Sequence, residues 1–205
     1  MKVHKDTKHN ILRAAETEFL QLGYEKAGLR AICKSAGVTT GAFYFFFENK
    51  NALFRELVES TAGEFLAFME RAVEAELEEG RQLSAEHKSL DGQLDLTHEK
   101  TIMTYLFHHR NVFLLLMMKA AGSEYEGFAE ELRQRSLAAF EESIRIYLKV
   151  PMTDRQIRQL AALISAFRMN SYMELLQSDL SLPEILEQTE LISRYAIAGW
   201  NEIMQ

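Results

Sequence analysis

The sequence is poor in cysteine and proline. Its 205 residues include one cysteine, Cys33, and two prolines, Pro151 and Pro183. A single cysteine forms no intramolecular disulfide and cannot supply a Cys-rich zinc site, which is typical of a reducing compartment. The apolar neighbours of Cys33 indicate core packing rather than a reactive thiol.

Long apolar runs are also missing. No stretch approaches 18 consecutive apolar residues, and the first six residues, MKVHKD, contain no apolar core of a signal peptide. We therefore expect neither a membrane span nor a signal peptide, and we expect a cytoplasmic protein.

The motifs of the common enzyme classes are absent from the sequence. It has no glycine-rich phosphate loop, no nucleophile elbow and no zinc-ligand spacing. The clusters His98-Glu99 and His108-His109 place neighbouring side chains in different directions on a helix, so they do not form an i, i+4 metal pair. We expect no catalysis, no metal and no cofactor.

Charge is distributed unevenly along the chain. The formal net charge is −7, but residues 1–50 carry eight Lys and Arg against five Asp and Glu, whereas residues 51–205 carry fifteen against twenty-five. A mildly basic segment on an acidic body suggests a small module that faces a polyanion, although such an asymmetry also arises on solvated surfaces.

Apolar residues recur at spacings of three and four, which predicts an all-α fold. The first helix is expected at about residues 7–22, with Gly23 as its stop. The second has Leu29, Ile32 and Cys33 on its buried face and ends at Gly37. The polar stretch from Gly80 to Asp95 predicts a loop or a weak helix.

The stretch GVTTGAFYFFFENKNALF, residues 37–54, combines a tight turn with an aromatic helix. Thr39 or Thr40 can cap that helix, and Phe43 and Phe47 lie one turn apart on a face that we assign to the core. Two short helices joined by a glycine-containing turn form a helix-turn-helix, whose second helix enters the DNA major groove.

This stretch closely resembles the N-terminal signature of the TetR/AcrR family of bacterial transcriptional regulators, and the similarity extends over about residues 7–58. It implies a three-helix DNA-binding domain at residues 1–50 and a helical ligand-binding and dimerisation domain at residues 51–205. It also implies DNA contacts from the second helix, the recognition helix and the start of the fourth helix, at Arg30, Thr39, Thr40, Gly41, Ala42, Tyr44, Phe45 and Lys50.

Two positions depart from the family pattern. Ala27-Gly28 stands where the family usually has a Thr or Ser cap, and Phe46 stands where His or Tyr is common. Tyr44 and Lys50 are expected to donate to phosphates, with solvated side chains as the alternative. Phe45 is expected to touch thymine methyl groups.

Apolar and sulfur-containing residues in the centre of the chain could surround a small apolar ligand, with ordinary core packing as the alternative for each. The candidates are Met103, Phe107, Phe113, Met117, Met118, Phe140 and Phe167.

The last two helices carry capping-box patterns at Thr153-x-x-Gln156 and Ser181-x-x-Glu184. By resemblance they build a homodimer, with a monomer that covers these stripes internally as the alternative. The candidate interface residues are Ile157, Leu160, Ala161, Ile164, Ile192, Tyr195, Ala196, Gly199 and Ile203.

The sequence therefore predicts a ligand-responsive homodimeric regulator, a repressor that a small apolar or amphipathic effector releases from a near-palindromic operator on double-stranded DNA. The alternative is a helical protein that senses a ligand or partner without binding DNA.

Overall fold

The computed structural model describes residues 2–85 and 92–204, and these residues form helices joined by short turns. In chain order the elements are α1 Lys2–Lys26, α2 Leu29–Ser35, α3 Thr40–Phe46, α4 Lys50–Ala85, α5 Gly92–His108, α6 Arg110–Leu114, a π-helical turn Leu115–Lys119, α7 Phe128–Tyr147, α8 Asp154–Gln177 and α9 Leu182–Met204. The predicted all-α fold is confirmed.

The chain divides into two compact units. The first runs to Phe65 and also includes His109–Ala129, and the second comprises the other described residues. The division lies within α4, whereas the sequence analysis drew it after residue 50. The first unit also takes up a later segment, which no local sequence pattern indicated.

An aromatic cluster forms the core of the first unit. The ring of Phe54 is fully buried and lies 5.1 Å from the ring of Phe19 and 5.2 Å from that of Tyr24, edge-on to both. Gly23 has φ +78°, a conformation that side chains with a Cβ rarely adopt, so the regular part of α1 stops where the sequence predicted.

Helices α7, α8 and α9 share the core of the second unit. Ile144 of α7, Ile157 and Ala161 of α8 and Met204 of α9 are buried together. Helix α5 packs along α9, and Lys100 of α5 forms an ion pair of 2.6 Å with Glu190 of α9. An exposed pair of this kind contributes little stability, whereas the apolar cluster stabilises the packing of α7, α8 and α9.

Helix boundaries follow the predicted capping signals. Thr153 caps α8 with both bonds of a capping box, and the Glu184 carboxylate accepts from the Ser181 amide at the start of α9. The expected loop at Gly80–Asp95 is helical at both ends, since α4 extends to Ala85 and α5 begins at Gly92; residues 86–91 lie outside the described residues.

None of the helices formed by residues 2–85 and 92–204 combines the length and apolarity needed to traverse a bilayer.

Candidate nucleic-acid interface

A tight turn connects α2 to α3. Gly37 has φ +68°, and the Val38 amide donates to the Cys33 carbonyl at 2.9 Å, which closes the end of α2. Thr39 is the N-cap of α3, where its hydroxyl accepts from the Ala42 amide at 3.2 Å. Gly28 caps α2 without a side-chain bond. The turn and the Thr39 cap agree with the sequence prediction.

The recognition helix α3 has two sharply different faces. Phe43 and Phe47 are buried, with 0% and 4% of their surface exposed, and pack ring to ring at 5.6 Å. Tyr44 and Phe45 are 56% and 73% exposed. Exposing two large aromatic rings costs the chain hydrophobic stabilisation, and such exposed apolar surface is typical of a binding site.

Most of the other predicted DNA contacts are also exposed. Thr39, Thr40 and Gly41 are exposed at the start of α3, and Arg30 is exposed on α2, while Ala42 is half-buried. A Cβ on Gly41 would come no closer than 3.9 Å to the Thr39 hydroxyl. The protein itself therefore does not require a glycine at this position.

Lys50 lies at the start of α4, as predicted, but its ammonium bonds to backbone carbonyls of the protein itself. Its ammonium donates to the carbonyls of Tyr24 at 2.7 Å, Glu25 at 3.2 Å and Ala27 at 3.1 Å. It also lies 4.4 Å from the centroid of the Tyr24 ring. A lysine ammonium has three donors; two are used on carbonyls in the last turn of α1 and the third on the carbonyl of Ala27, just after α1. In this geometry Lys50 joins the end of α1 to the start of α4 and has no donor left for a phosphate.

Burial changes the protonation equilibria beside this interface. Desolvation lowers the pKa of Lys50, and the nearby Glu25 carboxylate opposes the shift. Desolvation also raises the pKa of the Cys33 thiol, against smaller opposing effects of a backbone hydrogen bond and of the Thr40 hydroxyl. Cys33 is buried, so the structure agrees with its assignment to the core.

The predicted ligand residues do not come together in one site. Phe113 belongs to the first unit, where its buried ring packs edge-on against Phe65 at 5.0 Å. Met117 and Met118 lie in the π-helical turn of the same unit. Met103 is fully buried on α5. The sequence could not foresee that the apolar run 112–118 returns to the first unit.

The second unit contains a cleft of about 510 Å³. Of the predicted ligand-binding residues, only Phe140 and Phe167 line it. Arg168 lies in its wall, paired with Glu99 at 3.3 Å and near the rings of Phe140 and Tyr172. The lining residues that the sequence analysis missed are Glu76, Glu79, His98, Glu99, Ser143, Tyr147, Leu163, Arg168, Tyr172, Leu175, Thr189, Ser193, Ile197, Ala198 and Trp200. For two of these residues the sequence did contain a signal: the i, i+4 spacing of Arg168 and Tyr172 places their side chains on the same side of α8.

The predicted dimer residues divide between the core and the surface. On α8, Ile157 and Ala161 are buried in the core cluster around Ile144, so their assignment to an interface is corrected. Leu160 and Ile164 pack against that cluster but are half-buried, and their assignment stays a prediction. On α9, Ile192 is half-buried, and the exposed residues are Tyr195, Ala196, Gly199 and Ile203.

The exposed apolar side of α8 carries Leu163 and Phe167 instead, which are 70% and 41% exposed. The Phe167 ring lies 5.9 Å from that of Tyr195, so the exposed sides of α8 and α9 adjoin. We call this surface the α8/α9 face and define it by Leu163, Phe167, Leu191, Tyr195 and Ile203.

Within residues 2–85 and 92–204, no three His, Cys, Asp or Glu side chains are grouped so that they could hold a metal ion.

Comparisons with known proteins give a family match within the first unit. Residues 11–57 match the family model described as "Bacterial regulatory proteins, tetR family". The chain is 32% identical over 102 residues to the uncharacterized HTH-type transcriptional regulator YhgD of Bacillus subtilis, which is 49% of this chain and 52% of that protein. It is 43% identical over 53 residues to the HTH-type transcriptional repressor BepR of Brucella suis, which is 26% of this chain and 25% of BepR.

The chain thus spans about half or less of the length of these curated relatives. A crystal structure of a transcriptional regulator (TerR/AcrR family) from Aquifex aeolicus shares the fold over 93% of this chain and 99% of that one, with a TM-score of 0.57 and 19% identity. Residues 11–57 therefore resemble the N-terminal domain of the tetR family of bacterial regulatory proteins, and the chain shares the fold of the Aquifex aeolicus regulator over 93% of its length.

Proposed function

We propose that this regulator is a homodimer that binds a near-palindromic operator through α2 and α3, and that a small apolar or amphipathic effector releases it from DNA. The observation that carries the proposal is the split of α3 into a buried Phe43/Phe47 side and an exposed Tyr44/Phe45 side. A helix anchored on one side and aromatic on the other matches the recognition helix of a helix-turn-helix.

The DNA-facing groups divide into those that position the protein and those that read bases. Tyr44 and Arg30 supply a hydroxyl and a guanidinium for phosphates, and both side chains are exposed. Thr39, Thr40 and Phe45 are the candidates for base contacts, and Gly41 and Ala42 allow close approach of the backbone. We leave Lys50 out of this set because its three donors bind carbonyls.

The α8/α9 face is the proposed dimer interface. Its large apolar side chains are exposed on two adjoining helices, and an apolar patch of this kind is typical of a protein–protein contact. In a two-fold dimer the α8/α9 face of one copy contacts the same face of the other. The dimer then has two recognition helices, one for each of two DNA half-sites about 34–36 Å apart.

The effector would act by changing the distance between the two recognition helices of the dimer. A ligand that prefers a different spacing shifts the population away from the operator-bound form, and a coupling of about 1–3 kcal/mol weakens DNA binding roughly 5- to 150-fold. The 510 Å³ cleft of the second unit is the candidate effector site, since ligand pockets are commonly of this size. Repression rather than activation is supported by the description of BepR as a repressor, and a cytoplasmic location follows from a chromosomal target.

The test of DNA binding begins with selection of genomic fragments by the purified protein, followed by affinity measurements on the recovered operator. We expect Tyr44→Phe to weaken binding to every sequence by roughly 3- to 30-fold, because it removes one hydrogen bond to a charged phosphate. Thr17→Val removes an exposed hydroxyl from α1, which donates to the Arg13 carbonyl, and should leave the affinity unchanged. Failure to recover any enriched fragment would contradict the proposal.

The dimer interface is tested separately by sedimentation. Leu163→Glu combined with Tyr195→Glu places like charges opposite each other across a two-fold axis, so we expect a monomer at concentrations where the wild type is a dimer. Val150→Glu alters an apolar residue that is also exposed, outside the α8/α9 face, and should remain dimeric. A dimeric Leu163→Glu/Tyr195→Glu variant would show that another surface joins the copies.

A further inference from the structure

Two buried polar groups of the cleft have no hydrogen-bond partner among residues 2–85 and 92–204. They are the hydroxyl of Tyr172 and the indole N–H of Trp200. Both residues line the cleft, and Tyr172 is 8% exposed. A buried donor without a partner costs free energy, so an acceptor atom in the cleft would be favoured.

The charged groups around the cleft are unequal in number. Glu76, Glu79 and Glu99 line it, against Arg168 as the lining residue with a permanent positive charge. Glu99 and Arg168 neutralise each other at 3.3 Å. Glu76 and Glu79 lie one turn apart on α4, are half-buried, and form no ion pair with any other described residue. Two uncompensated carboxylates therefore remain beside an apolar cavity.

The rest of the lining is largely aromatic and aliphatic. Phe140, Tyr147 and Trp200 contribute rings, and Ile164 and Leu175 contribute aliphatic surface. The Tyr147 and Trp200 rings meet edge-on at 5.9 Å. Aromatic faces attract cations, and apolar walls favour a ligand whose charge is attached to a hydrophobic body.

We infer that the cleft binds a hydrophobic organic cation that also carries a hydrogen-bond acceptor, with its positive charge toward Glu76 and Glu79 and its acceptor toward Tyr172 and Trp200. This inference rests on the proposed function only in naming such a molecule as the effector. Binding itself does not depend on DNA.

The α8/α9 face overlaps the cleft, because its residues Leu163, Phe167, Tyr195 and Ile203 also line the cleft. A second copy is therefore the alternative occupant. These exposed side chains form the part of the lining that a second copy would cover, whereas Tyr172 and Glu99 are buried and Arg168 is half-buried. The side chains that define the α8/α9 face are apolar and offer no positive charge to Glu76 and Glu79. An organic cation supplies that charge, so charge complementarity favours it as the occupant of the cleft.

Trp200 provides a direct measurement, because it is the only tryptophan in the chain. The experiment titrates the full chain, without DNA, with tetraphenylphosphonium and tetraphenylborate, which share size and shape and differ in the sign of charge. We expect the cation to quench or shift Trp200 emission with a Kd at least about tenfold lower than that of the anion, since about 1.4 kcal/mol of electrostatic attraction gives that ratio.

Matched variants locate the origin of the preference. Glu76→Gln combined with Glu79→Gln should reduce the preference for the cation at least about threefold. Glu70→Gln combined with Glu74→Gln makes the same charge change on exposed positions of α4 that do not line the cleft, and should keep the wild-type preference. Equal losses in both double variants would mean that overall charge, and not the cleft, sets the selectivity.

The acceptor is tested with two cations that differ by one carbonyl, (4-oxo-4-phenylbutyl)triphenylphosphonium and (4-phenylbutyl)triphenylphosphonium. The carbonyl compound should bind the wild type about 3- to 10-fold more tightly, as one hydrogen bond to a buried donor predicts. The difference should shrink in Tyr172→Phe, while the compound without a carbonyl keeps its affinity and so shows that the cleft remains folded.

Three results would overturn the inference: equal affinity for the two tetraphenyl ions, tighter binding of the anion, or Trp200 emission that changes with protein concentration alone and responds to neither ion. The last result would assign the cleft to side chains of a second copy. Cation-selective binding by a protein that enriches no DNA fragments would leave this inference standing and refute the regulator proposal.

Discussion

Replacement of Lys50 by methionine separates a structural role from a DNA contact. Methionine keeps an unbranched stem but has no N–H donor, so the carbonyls of Tyr24, Glu25 and Ala27 lose a shared partner. A hydrogen bond to a charged group contributes about 1.5–3 kcal/mol, but one of the three bonds is exposed and water can replace it. We therefore expect Lys50→Met to lower the free energy of unfolding by about 2–3 kcal/mol rather than by the sum of three bonds.

The loss should be local to the first unit. Urea unfolding followed by circular dichroism gives the total change, and hydrogen exchange of peptides covering residues 20–30 should show faster exchange while those covering 160–175 do not. Lys34→Met is the matched control, because Lys34 is an exposed lysine on α2 and its side chain has no partner in the described structure.

The salt dependence of DNA binding tests the alternative role of Lys50 as a phosphate contact. A lysine on a phosphate contributes about 0.9 to the slope of log affinity against log salt, so a phosphate contact predicts a shallower slope for Lys50→Met. We expect an unchanged slope under conditions where the variant is folded. Wild-type stability together with a shallower slope would refute the structural role of Lys50.

Two further changes test packing and capping. Phe54→Ala removes a fully buried ring from the aromatic cluster and should lower the free energy of unfolding in urea by about 3–5 kcal/mol. Phe45→Ala, at a position that is 73% exposed, should leave stability nearly unchanged. Similar losses for both variants would contradict the assigned faces. Thr153→Ala removes the capping box of α8 and should lower the free energy of unfolding by about 1 kcal/mol. Thr17→Ala affects no helix cap and is the control. A Thr153→Ala variant as stable as the wild type would show that the capping box contributes no stability.

Local signals were sufficient for the start of the chain and for several helix ends. Gly37, Thr39 and the Phe43/Phe47 pair act over a few residues, so the turn, the cap and the buried side of α3 could be predicted. The capping box at Thr153 is local in the same sense. The departure at Gly28 was also predicted, and α2 begins there without a side-chain cap.

Helix α8 shows where periodicity was insufficient. Ala161, Leu163, Ile164 and Phe167 give the helix apolar residues on more than one side, so the pattern could not say which side faces inward. The answer depends on Ile144 of α7, which packs against Ala161 and leaves Leu163 exposed. The assignment of Ile157 and Ala161 to an interface was wrong for this reason.

The sequence by itself determined the all-α fold, the helix-turn-helix and the resemblance of its N-terminal segment to the tetR family, because those features depend on residues a few positions apart. Only the tertiary structure decided that Lys50 meets the end of α1, that Phe113 joins the first unit, and that Tyr172 and Trp200 share a cleft. Each of these pairings joins groups far apart in the chain, and the packing of whole helices brings them together.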